Sequence, residues 1–166
     1  MTWVDSIRNP EVLASLFGDS VPTLKELRLR SVHLSYIGPS VTLRVDLPAF
    51  PAAPAPEWRE NEFDTLQCQI GFQAVENICL NHWTPPEVCE IQVTLQADYR
   101  MHVEVVGRNL RLSFTSSQDI LIDHISAFKI GSDGSDSGRH HYVRKVDARL
   151  YTSTPEIHET SFYGRH

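Results

Sequence analysis

Leu27-Arg28-Leu29-Arg30-Ser31-Val32-His33-Leu34-Ser35-Tyr36, followed by Gly38-Pro39-Ser40 and Val41-Thr42-Leu43-Arg44-Val45-Asp46-Leu47, reads with a period of two. Apolar and polar residues alternate along both arms, as they do in a half-buried strand. The phase slips by one near Ser31. A β-bulge there keeps both apolar sets of the first arm on one face. Gly38-Pro39-Ser40 supplies the turn, so the stretch predicts an antiparallel hairpin.

The same pattern continues outward. Leu66, Cys68, Ile70 and Phe72 alternate, and Val75 to Leu80 follows after a short break. Ile91 to Leu95 alternates cleanly, and Met101–Val106 and Leu110–Phe114 flank the turn Gly107-Arg108-Asn109. Gln118 to Ile130 mixes spacings of two and three, so a bulged strand and a short helix both fit; its β-branched content favours strand. One helix precedes all of this. Asn9-Pro10-Glu11 is a start signal, with Asn9 as N-cap and Pro10 at the first helical position. Val12, Leu13, Leu16 and Phe17 share a face, and Gly18 ends the helix. The prediction is a mostly β (α+β) domain: an antiparallel β-sandwich or curled sheet with one short N-terminal helix.

The 166 residues fit a single domain, able to bury roughly 70% of its unfolded surface. The core is expected over about residues 3–130. Gly131 to Gly138 is rich in Gly, Ser and Asp and predicts a mobile loop. Residues 139–166 predict an added strand about Tyr142–Tyr151 and an irregular tail. Prolines 48, 51 and 54 share a three-residue period and read as a stiff connection. Their alternative reading is a ligand for a proline-binding module.

Composition narrows the function. A 41% apolar fraction excludes disorder, and a net charge of −6 argues against nucleic acid as partner. The N-terminus shows no basic region followed by an apolar run, and no stretch is long and apolar enough for a membrane span. A soluble cytoplasmic protein is expected. Cys68, Cys79 and Cys89 have no CxxC spacing and predict reduced, buried thiols.

No catalytic or metal constellation emerges. The eight histidines lack HxH and HExxH spacing and read as surface and turn residues. There is no GxSxG elbow. Asp133, Gly134 and Asp136 hint at a calcium loop but lack the closing Glu. No cofactor is expected, and the chain is read as not an enzyme. Glu57, Glu60, Glu62 and Asp64 crowd a loop around Trp58. Such a run is a solvated face or a receptor for a basic partner. Trp58 and Trp83 are either interface residues or caps of the core at strand ends.

The ordered series Trp3, Asn9-Pro10, Phe17-Gly18-Asp19, Gly38-Pro39, Leu43-Arg44-Val45-Asp46-Leu47-Pro48, Pro51, Pro54, Trp58, the runs between Ile70 and Leu80, and His82-Trp83 resembles the immunity protein 50 family of bacterial polymorphic toxin systems. The likeness covers roughly residues 3 to 128. It departs at His82, where the family more often has Gly. It implies a non-catalytic partner that protects its own cell by binding a cognate toxin. It carries over no catalytic or interface position. Toxin-binding residues are therefore chosen by type: Glu57, Trp58, Glu60, Glu62, Asp64 and Trp83. The competing readings are a small-ligand-binding β module and a hydrolase or metal enzyme.

Overall fold

The computed structural model describes residues 3–84, 86–136 and 138–144. After a 3-10 turn at Trp3–Ser6 come helix α1 (Glu11–Phe17) and strands β1 (Leu27–Ser35) and β2 (Ser40–Asp46). A second short helix, α2 (Pro56–Glu60), leads into β3 (Thr65–Phe72), β4 (Glu76–Asn81), β5 (Glu87–Leu95), β6 (Arg100–Gly107), β7 (Arg111–Ser117), β8 (Ile120–Phe128) and β9 (His141–Tyr142). Among the described residues nine strands form one sheet in the order β4-β7-β6-β5-β1-β2-β3-β8-β9. Each of its ladders is antiparallel.

The sheet is curled rather than split into a sandwich. Phe72 on β3 and Phe114 on β7 are separated by four strands in the sheet order, yet their rings meet edge to face at 5.1 Å. That contact requires the two halves of the sheet to fold over a shared inner face. Leu29, Val41, Leu43, Val45, Leu66 and Leu112 fill the space between, all fully buried. The alternation read from the sequence places these residues inward.

The bend lies at β1. Its register slips between Leu29 and Ser31, where the alternation changes phase, so Arg30 is the extra residue of a bulge. Only Leu27–Leu29 pair with β5, while the rest of β1 pairs with β2 alone. The expected single apolar face therefore does not reach the hairpin tip. Leu34 is 51% exposed and Tyr36 93%, because beyond the bulge β1 is flanked by β2 alone and its other side is open.

Other departures have equally local causes. Asn9 is not the N-cap of α1; Pro10 occupies that position, without a side-chain cap. The Asn9 amide instead donates to the Ile122 carbonyl at 2.6 Å and accepts from the Ile122 N–H at 3.1 Å. With both a donor and an acceptor, it stands in for a peptide group along β8. The Arg8 N–H adds a bond to the Ile120 carbonyl, and Ile7 bridges Ile120 in parallel. Gly18 ends α1 at φ 57°, ψ −128°, a conformation that a side chain disfavours. β8 is a strand with a bulge: His124 and Ile125 face the single residue Cys68, and His124 takes φ 50°.

Cys79 corrects the expectation of three buried thiols. β4 is an edge strand, its register slips between Glu76 and Cys79, and Cys79 is exposed while Cys68 and Cys89 are buried. Burial, reinforced by Asp46 and Asp123, pushes the Cys68 thiol up. Burial and Glu87 push Cys89 up to about 12. A buried neutral thiol is a poor nucleophile. Iodoacetamide at pH 8 is expected to label one cysteine, Cys79, in the native protein and all three in urea, read by intact mass.

Within the segment expected as a mobile loop, Gly131, Gly134 and Ser135 are joined by backbone bonds. Gly131 N–H bonds the Ser135 carbonyl at 2.9 Å, and Gly134 N–H bonds the Gly131 carbonyl at 2.9 Å. The added strand is short: β9 pairs His141 and Tyr142 with Ala127 and Ser126. The rest of the expected strand and tail, 145–166, lies outside the described residues.

Candidate interaction surface

Where the sequence offered only surface and turn histidines, two of the described ones are buried, His124 and His140. His140 Nδ1 lies 2.7 Å from the Ser126 hydroxyl oxygen, and its Nε2 lies 3.7 Å from Asp136 Oδ2. Serine, histidine and aspartate in a row are the parts of a nucleophilic triad, which is recognised by geometry rather than by chain position. Here the geometry withholds the chemistry. Ser126 is 0% exposed and His140 3%, and the imidazole is stacked on Phe128 at 4.5 Å. A nucleophile must reach its substrate, and this hydroxyl is sealed.

The row continues inward as a structural network. Gln67 Nε2 donates to Asp136 Oδ2 at 2.6 Å and to Asp46 Oδ1 at 3.0 Å. Asp46 Oδ2 accepts from Arg30 Nε at 3.0 Å and pairs with its Nη2. Each polar group here has a partner, which is the condition for burying it. The bulge that bends β1 is the residue that supplies the guanidinium. Asp133 turns away from Asp136: its Oδ1 accepts the Ser135 N–H at 3.0 Å, so the two carboxylates of the hinted calcium loop serve different partners. Bonds from Ser135 hold the Asp133 carboxyl below its ordinary value. Among the described residues no group of three or more His, Cys, Asp or Glu is placed to hold a metal ion.

Burial lowers the His140 pKa below its ordinary 6.5, against the opposing pull of Asp136 and Asp46 and with a smaller push from Arg44. The sign of the stability effect follows. An unfolded chain takes up the proton near pH 6.5, before the folded one does, so the unfolded state gains as pH falls through that value. The contribution is complete above pH 6.5 and is lost on descending toward the folded value. Urea midpoints measured from pH 8 to pH 5 are expected to drop, and the drop is expected to be shallower in His140→Gln.

The acidic residues occupy a different part of the fold. They lie on the connection from β2 to β3, expected as a loop but containing α2. Pro56 opens this helix at its first turn, Glu57 lies at the positive end of its dipole and Arg59 at the negative end. Trp58 is 7% exposed and leans on Phe50 at 5.8 Å. It is a core side chain that anchors α2, and it presents little surface to a partner. Glu62 pairs with Lys129 at 3.1 Å. Asp64 Oδ1 accepts from the Ile130 N–H at 3.0 Å and the Thr65 hydroxyl at 2.9 Å. These two carboxylates fasten the connection to the end of β8. Glu57 and Glu60 stand exposed. Trp83 is partly buried against the core on the connection from β4 to β5, in the half of the sheet that does not carry the acidic group.

Two clefts flank α1. One, of 620 Å³, lies between the 3-10 turn, α1 and β5, and is lined by Trp3, Ala14, Val21, Leu24 and Ile91 among others. The other, of 450 Å³, lies on the far side of α1, between Leu16, Pro54, Trp58 and Tyr142, with Glu57 in its wall. Elsewhere, four turns are tied together. Val75 N–H bonds the Pro39 carbonyl, Ser117 N–H the Gln73 carbonyl, and Gln118 N–H the Tyr99 carbonyl. Tyr36, Ile37 and Tyr99 project from these turns, Tyr99 being 65% exposed and held at φ 60°. Polar residues are usual at such tips, so this departure from type was the signal available in the sequence.

The family model described as Immunity protein 50 matches residues 9–127. The chain belongs to the Immunity protein 50 family. Its matched region opens at Asn9, the residue that closes the edge of β8, and ends at Ala127 within β8. Both helices and the Arg30–Asp46 pair fall inside it, while Asp136 and His140 lie beyond it. No curated protein matches the chain. No helix among the described residues is long and apolar enough to cross a membrane.

Proposed function

We propose that this chain is an immunity protein that neutralises a cognate toxin domain of a bacterial polymorphic toxin system by direct binding in the cytoplasm, without catalysis. Membership of the Immunity protein 50 family carries the reading. The sealed serine and the exposed carboxylates are in keeping with it. Occlusion of another protein needs a rigid scaffold and a complementary surface, and no reactive group of its own.

The toxin-facing surface is proposed to include Glu57 and Glu60 on α2, with Glu62, Asp64 and Trp83 as further contacts and Trp58 as the support beneath. Opposite charge across an interface speeds encounter and is screened by salt. The toxin is sought in the neighbouring gene, which is expected to encode a variable C-terminal domain. Co-expression is expected to rescue cells from it. Glu57→Lys with Glu60→Lys is expected to weaken binding by about tenfold at low salt, mostly through the association rate. Failure to bind any neighbouring toxin would overturn the reading; an unchanged affinity in the double variant would move the interface off α2.

A further inference from the structure

The geometry points to the 620 Å³ cleft between α1 and β5 as the seat of an apolar anchor side chain carried by a basic segment of the toxin domain. This inference rests on the immunity reading above. The floor is apolar and fixed: Leu24 and Ile91 are buried, and the Ile91 N–H bonds the Leu24 carbonyl at 2.8 Å. One wall is fixed as well, because the Trp3 indole N–H donates to the Pro22 carbonyl at 3.2 Å. Ala14 and Val93 also line the space. The volume falls within the roughly 300–1,000 Å³ of preformed binding sites. A preformed pocket spares the ordering cost that weakens association. Clefts that a partner closes over receive the few side chains that dominate a protein interface.

The rim decides the occupant. Asp19, Glu90 and Lys25 are its charged residues. Lys25 lies 4.0 Å from Glu90, which leaves the Asp19 carboxylate as the uncompensated charge. The chain as a whole carries −6. A second copy would bring the same acidic rim against this one, and an anionic lipid surface would repel it. An aromatic or aliphatic side chain flanked by Lys or Arg meets both the apolar floor and the acidic rim.

Ala14→Trp tests this with the full chain. Ala14 is an exposed helical position on the cleft wall, so the added indole fills the cleft without entering the core. Calorimetric titration with the neighbouring toxin domain is expected to show at least thirtyfold weaker binding, with an unchanged melting temperature. Asp19→Lys, on the exposed loop after α1, is expected to weaken binding about tenfold at low salt and to flatten its salt dependence. Should Ala14→Trp fail to fold, Asp19→Lys carries the test. Wild-type binding that both variants leave within twofold overturns the cleft and leaves the immunity reading standing. Absence of wild-type binding overturns both. A dimer dissolved by Ala14→Trp, or a small apolar molecule found stoichiometrically in the native protein and lost in that variant, with toxin affinity unchanged, assigns the cleft elsewhere and overturns the inference.

Discussion

Asp46→Ala is expected to cost about 3–5 kcal/mol of unfolding free energy, measured by urea denaturation at pH 7.5. The carboxylate is buried between Arg30 and Gln67. Removing it leaves the Arg30 guanidinium, itself largely covered, with no counter-charge. Most of the loss is the desolvation of that stranded cation, since an intact buried pair contributes little net stability. The double variant Asp46→Leu with Arg30→Met separates the two effects. It removes both charges and is expected to recover most of what Asp46→Ala loses. If the single variant loses less than about 1 kcal/mol, the pair is wetter than its burial indicates.

Phe72→Ala is expected to be of similar size, about 3–5 kcal/mol, for a different reason. Phe72 is fully buried, and its ring touches Phe114 across the curl. Truncation opens a cavity where the two halves of the sheet meet. Phe72→Leu keeps most of the volume and is expected to lose clearly less than Phe72→Ala. The same experiment reads the architecture. If the halves did not close on each other, Phe114→Ala and Phe72→Ala would add independently. In contact, the double variant is expected to lose less than the sum, with a coupling of about 0.5–1.5 kcal/mol for an aromatic pair.

The strands were legible because their side chains alternate, and alternation is a local property. Val41, Leu43 and Val45 are buried as their spacing requires. The bulge at Arg30 was legible for the same reason, as a break in phase. What stayed hidden depends on strands distant in sequence. Nothing near Asn9 announces Ile122, 113 residues away, so a residue that looks like a helix cap serves the sheet edge instead. His140 was misplaced on the surface because Ser126 and Phe128, which cover its ring, reach it only through the pairing of β8 with β9. α2 was read as a loop because five residues give no helical periodicity.

The acidic group was legible as composition, but its geometry was not. Four carboxylates in eight residues look equivalent in sequence. In the fold, Glu62 and Asp64 are engaged with Lys129 and the Ile130 N–H, and Glu57 and Glu60 face outward. The clefts beside α1 gave no sequence signal at all, since their walls are gathered from separate parts of the chain.

The bulge at Arg30 has an evolutionary consequence. It detaches the outer half of β1 from β5, so the hairpin tip from Leu34 to Ile37 projects without contributing to the core. Substitutions at such exposed positions change stability by only about ±0.5 kcal/mol. Selection on the fold therefore leaves the tip nearly free to vary. For the immunity role proposed above, this hairpin offers residues that can be rewritten to meet a different toxin without endangering the scaffold beneath.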